Sequence, residues 1–122
     1  MNIKIKGVEI EVTQAIHDYA VKKIYEALDK FITEENEKRI FVEVELSKTT
    51  KHHANGDMYS AAAKVKGLHR NIFIESIKND LYASIDGLKD RLSETASQMK
   101  DKKKTLTHRV ALRFKKLFKN QE

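Results

Sequence analysis

Residues 79–104 read Asn79-Asp80-Leu81-Tyr82-Ala83-Ser84-Ile85-Asp86-Gly87-Leu88-Lys89-Asp90-Arg91-Leu92-Ser93-Glu94-Thr95-Ala96-Ser97-Gln98-Met99-Lys100-Asp101-Lys102-Lys103-Lys104. Leu81, Ile85, Leu88, Leu92, Ala96 and Met99 recur every three or four residues, which places them on one stripe of an α-helix. Asn79 or Asp80 stands where a side-chain oxygen can accept from the unpaired N–H groups of the first turn. Lys100, Lys102, Lys103 and Lys104 follow the stripe, where cations complement the partial negative charge of the last carbonyls. Four lysines are more than a helix end needs, and the excess reads as a docking surface for a polyanion. A helix with one apolar stripe needs a partner layer, and the rest of the chain supplies it.

Upstream, Met1 to Glu11 alternates, with Ile3, Ile5, Val8, Ile10 and Val12 as the apolar positions and Gly7 as an expected bend or bulge. This pattern predicts a strand. Thr13 then caps a second striped helix whose apolar positions are Ile16, Ala20, Ile24, Ala27 and Phe31. Arg39 to Ser47 alternates again, with Ile40, Val42, Val44 and Leu46 on one side and Phe41, Glu43 and Glu45 on the other, as in a half-buried strand. Thr49 to Asp57 ends in Asn55-Gly56-Asp57, a turn signal. Tyr59 to Lys66 and Leu68 to Glu75 predict a hairpin through Lys66-Gly67, although Ala61-Ala62-Ala63 has weak strand propensity.

The order β-α-β-β-β-α gives two striped helices and a four-stranded sheet with one apolar face able to receive both. An α/β two-layer sandwich of the α+β kind follows, with both helices on one face of the sheet, resembling a double-stranded-RNA-binding fold. With 122 residues the chain accommodates one core, so residues 1–104 are expected to form a single domain and residues 105–122 a basic amphipathic tail. The tail sets Val110, Ala111, Phe114, Leu117 and Phe118 among Arg109, Arg113, Lys115, Lys116 and Lys119. Such a segment suits RNA, a membrane surface or a partner groove, and equally an apolar patch of its own domain.

Charge is unevenly placed. Residues 1–98 hold 15 Lys/Arg against 16 Asp/Glu, whereas residues 99–119 hold nine against Asp101 alone. The polyanion-seeking charge is therefore concentrated at the end of a nearly neutral body. Helical projection sets Tyr19, Lys23 and Lys30 along one flank of the first stripe, with Lys22 nearby. In the second helix Lys89 and Lys100 line one flank, and Arg91 and Lys102 the other. Two helices side by side would expose a shared basic ridge suited to structured RNA, whose A-form grooves offer phosphates, 2′-hydroxyls and shape. Flank lysines are also what any solvated helix carries.

Enzyme chemistry finds no support. There is no Cys, hence no disulfide, thiolate metal site or cysteine nucleophile. His52, His53 and Asp57 lack zinc-ligand spacing, and adjacent His side chains in a strand diverge. Ser47, Thr49, Thr50 and Ser60 belong to no nucleophile motif, and no Gly-rich phosphate loop occurs. Neither a cofactor nor a small-molecule substrate is expected. The absence of a long apolar run or leader pattern makes the cytoplasm the expected location and a membrane an unlikely partner.

The run Asp80-Leu81-Tyr82-Ala83-Ser84-Ile85-Asp86-Gly87-Leu88, continuing to Asp90-Arg91-Leu92, resembles the last helix of the bacterial and plastid ribosome hibernation-promoting factors, also called ribosome-associated inhibitors. Ile3-Lys4-Ile5-Lys6-Gly7 and Val12-Thr13-Gln14-Ala15-Ile16 resemble that family's first strand and helix start. The resemblance implies a similar fold and a non-enzymatic protein that binds the small ribosomal subunit and its rRNA at the decoding region. There it would occlude messenger and transfer RNA and silence idle ribosomes. It implies that Lys22 and Lys23 match basic positions of the family's first helix, and Arg91, Lys100 and Lys102 those of its last. With the charge pattern, the candidate RNA-binding set is Lys22, Lys23, Lys30, Lys89, Arg91, Lys100, Lys102, Lys103 and Lys104. Departures occur at Glu26 and Gln98, where Lys is common, and at Glu94-Thr95-Ala96, where an Arg-Gln-Leu run is usual. A generic double-stranded-RNA-binding module and a membrane or protein adaptor acting through the tail stay open, as does contact with a second ribosome through dimerisation.

Overall fold

A computed structural model describes residues 1–49 and 56–99. The expected order is found: strand β1 (Asn2–Val8), helix α1 (Gln14–Leu28), strands β2 (Phe41–Thr49), β3 (Met58–Lys66) and β4 (Ile72–Lys78), and helix α2 over residues 81–99. The four strands form one sheet in the order β1-β2-β3-β4. β1 runs parallel to β2 because α1 carries the chain back between them, whereas β2, β3 and β4 pair antiparallel in sequence. β4 therefore points the same way as β1, and each helix returns across the sheet after its strand. The two helices consequently run parallel, with their C-terminal ends at the same end of the molecule.

Register explains the core. Ile3, Val42, Val65 and Ile72 are neighbours across the sheet, as are Ile5, Val44, Ala63 and Ile74, and both rows face the helices. Ala20, Ile24, Ala27 and Leu28 of α1 close on them, as do Ile85, Leu88, Leu92 and Ala96 of α2, all buried in one cluster. Each fully buried Leu or Ile stabilises the fold by roughly 1.5–3 kcal/mol relative to an exposed one. Among the described residues the opposite sheet face has no helical cover. It carries Lys4 opposite Glu43, Glu43 opposite Lys64, and Lys6 opposite Glu45, so its charges alternate in sign across the strands.

Both helix starts match the sequence. The Thr13 hydroxyl accepts from the Ile16 N–H at 3.2 Å, and the Asp80 carboxylate, rather than Asn79, accepts from the Ala83 N–H at 3.0 Å. Several boundaries differ from expectation. β1 ends at Val8, and its bend falls at Glu9 (φ 60°) rather than Gly7, which stays in register opposite Leu46. Gly7 instead leaves room for the returning chain: a Cβ there would lie 2.7 Å from the Ile10 carbonyl oxygen. α1 stops at Leu28 and continues as a 3-10 turn over Asp29–Phe31, so Phe31 packs on the core from the turn.

The hairpin is displaced as well, with β4 beginning at Ile72 rather than Leu68 after a wider turn that starts at Gly67. The alanine-rich stretch does form β3, because tertiary packing outweighs weak propensity. Ala61 and Ala63 are fully buried, and Ser76 follows Ala61 across the sheet. These small residues let α2 sit close. A Cβ on Gly87 would meet the Ser76 hydroxyl oxygen at 2.3 Å, so any larger residue at that crossing would have to push the hydroxyl aside. Among the described residues no buried side-chain nitrogen or oxygen lacks a hydrogen-bond partner.

Candidate nucleic-acid interface

The helical layer presents a seam where α1 and α2 lie side by side. The Tyr19 hydroxyl donates a short hydrogen bond to the Asp86 carboxylate, and the Tyr19 and Tyr82 rings meet edge to face with centroids 4.9 Å apart. Lys23, one turn beyond Tyr19, places its Nζ 3.5 Å from Asp86, 3.6 Å from Glu26 and 5.3 Å from the Tyr19 ring centroid. The Asp86 hydrogen bond, followed by burial, pushes the Tyr19 phenol above its usual range. Burial works against the Lys23 charge, but attraction to Glu26, Tyr19 and Asp86 outweighs it and the Lys23 value rises. This cluster is a mutually bonded unit in which one lysine faces two carboxylates.

The candidate cations divide on either side of that unit. Lys22 points out from α1 and is exposed, with no ion pair among the described residues. Lys30 is exposed in the 3-10 turn, not on α1 proper, and its Nζ stands 5.2 Å from the Phe31 ring centroid. It borders a groove of about 620 Å³ at the C-terminal ends of both helices, lined also by Arg39, Leu68, His69 and Met99. Lys89 is half-buried and lies 3.6 Å from Asp90. Arg91 turns away from the seam altogether, and its guanidinium donates to the Glu75 carbonyl of edge strand β4 at 2.5 Å. The outward face of α2 carries Asp90 and Glu94, both exposed, and Gln98 donates to Glu94 at 3.5 Å.

The structure thus brings Lys22, Lys23 and Lys30 onto one side of the layer, holds Lys89 against its acidic neighbour, and assigns Arg91 to the sheet edge. The single ridge expected from two basic helices is uneven, because α2 contributes carboxylates between its cations. Lys100, Lys102, Lys103 and Lys104 lie outside the described residues, as do His52, His53 and the tail from Thr105 to Glu122. The Tyr19–Asp86–Tyr82 assembly was not evident from the sequence. Its members stand on different helices, 67 residues apart for the hydrogen-bonded pair, and no periodicity relates them.

Residues 3–104 match the family described as Sigma 54 modulation protein / S30EA ribosomal protein. The chain belongs to this family. Relatives of the S30EA-family chain include the ribosome hibernation promoting factor of Klebsiella oxytoca, 31% identical over 109 residues that cover 85% of this chain and 98% of that protein. The ribosome hibernation promoting factor of Salmonella typhimurium is 27% identical over 108 residues with the same coverage. Among solved structures, the N-terminal domain of Thermus thermophilus Protein Y matches with a TM-score of 0.67 and 32% identity, covering 81% of this chain and 99% of that one. A ribosomal subunit interface protein from Coxiella burnetii, 18% identical with a TM-score of 0.65, shares the fold over 83% of this chain and 99% of its own. The S30EA fold thus coincides with the sandwich built above, including its parallel β1–β2 pair and two helices on one face.

Proposed function

We propose that this S30EA-family protein is a non-enzymatic ribosome hibernation factor that binds the small ribosomal subunit at the decoding region and excludes messenger and transfer RNA. The observation that carries the reading is the family match across residues 3–104, with relatives named for ribosome hibernation covered nearly end to end. Unpaired exposed cations support the reading. Lys22 and Lys30, exposed and without carboxylate partners among the described residues, supply point charges for phosphates. The lysines at 100 and 102–104 extend that charge in sequence from Met99, at the rim of the same groove. Lys89 takes part by exchanging Asp90 for a phosphate, at the cost of an existing ion pair, whereas Lys23 stays on the Asp86 carboxylate. Residues 105–122 act as an auxiliary basic segment that adds affinity to the 1–104 domain.

Occlusion fixes the kinetics. One protein silences one ribosome, and no bond in the RNA is broken. Titration of the protein into a reconstituted translation reaction should give inhibition that is stoichiometric with ribosomes, immediate, and relieved by excess transfer RNA. Sub-stoichiometric inhibition that deepens with time and survives removal of the protein would show turnover and end this reading.

A further inference from the structure

We propose that Tyr82 is a stacking platform for an unpaired base of the ribosomal RNA, and that Tyr19 and Asp86 are the residues that hold it in position. The inference rests on the ribosome-binding reading and adds to it a contact that is not electrostatic. Tyr82 lies in the first turn of α2 and is 40% exposed, whereas its neighbours Leu81 and Ile85 turn into the core. Its ring is not loose: Tyr19 abuts it edge to face at 4.9 Å with an interplanar angle of 73°. Tyr19 is in turn fixed by its hydroxyl on Asp86, and Asp86 by Lys23 at 3.5 Å. A T-shaped partner takes at most one face of a ring, so at least one face of Tyr82 is left for a second aromatic plane, in keeping with its 40% exposure.

Three features fit a nucleobase rather than a phosphate. Asp86 sits within this cluster, so a polyanion's phosphate would meet a carboxylate, whereas a base is uncharged and stacks without penalty. Lys23 is already committed to Asp86, Glu26 and the Tyr19 ring, so its role is to neutralise the support. Lys22, which has no such partner among the described residues, lies on the adjoining face of α1, where the phosphate attached to a splayed base would be carried. Sequence-specific recognition of RNA uses unstacked bases held on aromatic rings in this way. The presence of an acidic residue in the middle of a basic surface is thereby explained: Asp86 orders the aromatic pair and touches no RNA.

Stacking and phosphate contact differ in salt dependence, and the test uses that difference. Small-subunit affinity of the full chain is measured across a series of KCl concentrations for wild type, Tyr82→Phe, Tyr82→Leu and Lys22→Glu, with melting curves for each. Tyr82→Phe should bind like wild type. Tyr82→Leu retains apolar bulk against Tyr19 but lacks a π-face, and should lose about tenfold in affinity at every salt concentration, leaving the slope unchanged. Lys22→Glu should flatten the slope. If Tyr82→Leu binds like wild type, Tyr82 serves packing alone and the inference falls while the ribosomal reading stands. If wild type itself does not bind small subunits, both fall.

Discussion

Helices α1 and α2 pack in one layer over one core, yet they treat their cations differently. On α1 and the turn that extends it, Lys22 and Lys30 stand exposed without carboxylate partners among the described residues. On α2 each described cation is already engaged: Lys89 by Asp90, and Arg91 by the Glu75 carbonyl of the sheet edge. The basic residues of the two helices thus differ in their capacity for phosphate, because a cation must first leave any partner it has. The seam between the helices belongs to neither behaviour, since Tyr19, Lys23, Asp86 and Tyr82 satisfy one another. A basic surface is better judged by what its cations lack than by how many there are.

The largest effect expected from this asymmetry comes from reversing the two unpaired cations. Lys22→Glu combined with Lys30→Glu should lower small-subunit affinity by roughly a hundredfold at moderate salt, about tenfold per phosphate contact, and flatten the salt slope by about two. Melting temperature should stay unchanged, since neither side chain packs in the core. A similar loss from Lys89→Glu would erase the distinction between the helices.

Removal of residues 105–122 should come next. With the β-sheet and both apolar stripes complete by residue 99, the truncated protein should melt like the full chain. The loss of Arg109, Arg113, Lys115, Lys116 and Lys119 should nevertheless reduce affinity and salt sensitivity together. A drop of many degrees in the melt would instead place Phe114, Leu117 and Phe118 in the fold.

Arg91→Ala sharpens the contrast in the opposite sense. It removes a charged donor from an exposed carbonyl, which should cost about 1 kcal/mol and lower the melting temperature by a few degrees. The salt slope of small-subunit binding should not move. A slope reduced by about one would make Arg91 a phosphate contact after all.

The smallest effect concerns pH. Tyr19 holds its proton more tightly in the folded state than in the unfolded chain, first through its bond to Asp86. Its contribution is therefore fully present below the ordinary tyrosine range near 10 and is lost as pH rises through the raised folded value. Lys23, also raised, acts in the same sense. Melts of wild type and Tyr19→Phe should differ slightly at pH 8 and converge as the pH climbs toward 11. A constant gap would mean that the hydrogen bond is not what separates them.

What the sequence disclosed followed from periodicity. The Leu81 to Met99 stripe and the alternation of Ile40, Val42, Val44 and Leu46 predicted which faces are buried, and with them the two-layer sandwich. Pairings between distant segments were beyond it. The parallel partnership of β1 and β2, the seat of Gly87 on Ser76 and the reach of Arg91 to Glu75 depend on the assembled sheet, and no local pattern encodes them. The alanines of β3 weakened the local strand signal, because their small size is a packing requirement rather than a backbone preference, yet the strand predicted there is found. For the candidate surface, helical projection located Lys23, Lys30, Lys89 and Arg91 on flanks, with Lys22 nearby. It could not tell an occupied cation from an open one, since Asp86 reaches Lys23 across the seam.

The most direct test of the proposed occlusion is chemical footprinting of small-subunit RNA with the full chain bound, repeated with the Lys22→Glu, Lys30→Glu variant. Protection should be concentrated on the nucleotides of the decoding region, should appear in proportion to bound protein, and should be lost with the double variant at equal concentration. Saturating binding that leaves the decoding region as reactive as in free subunits would contradict the account.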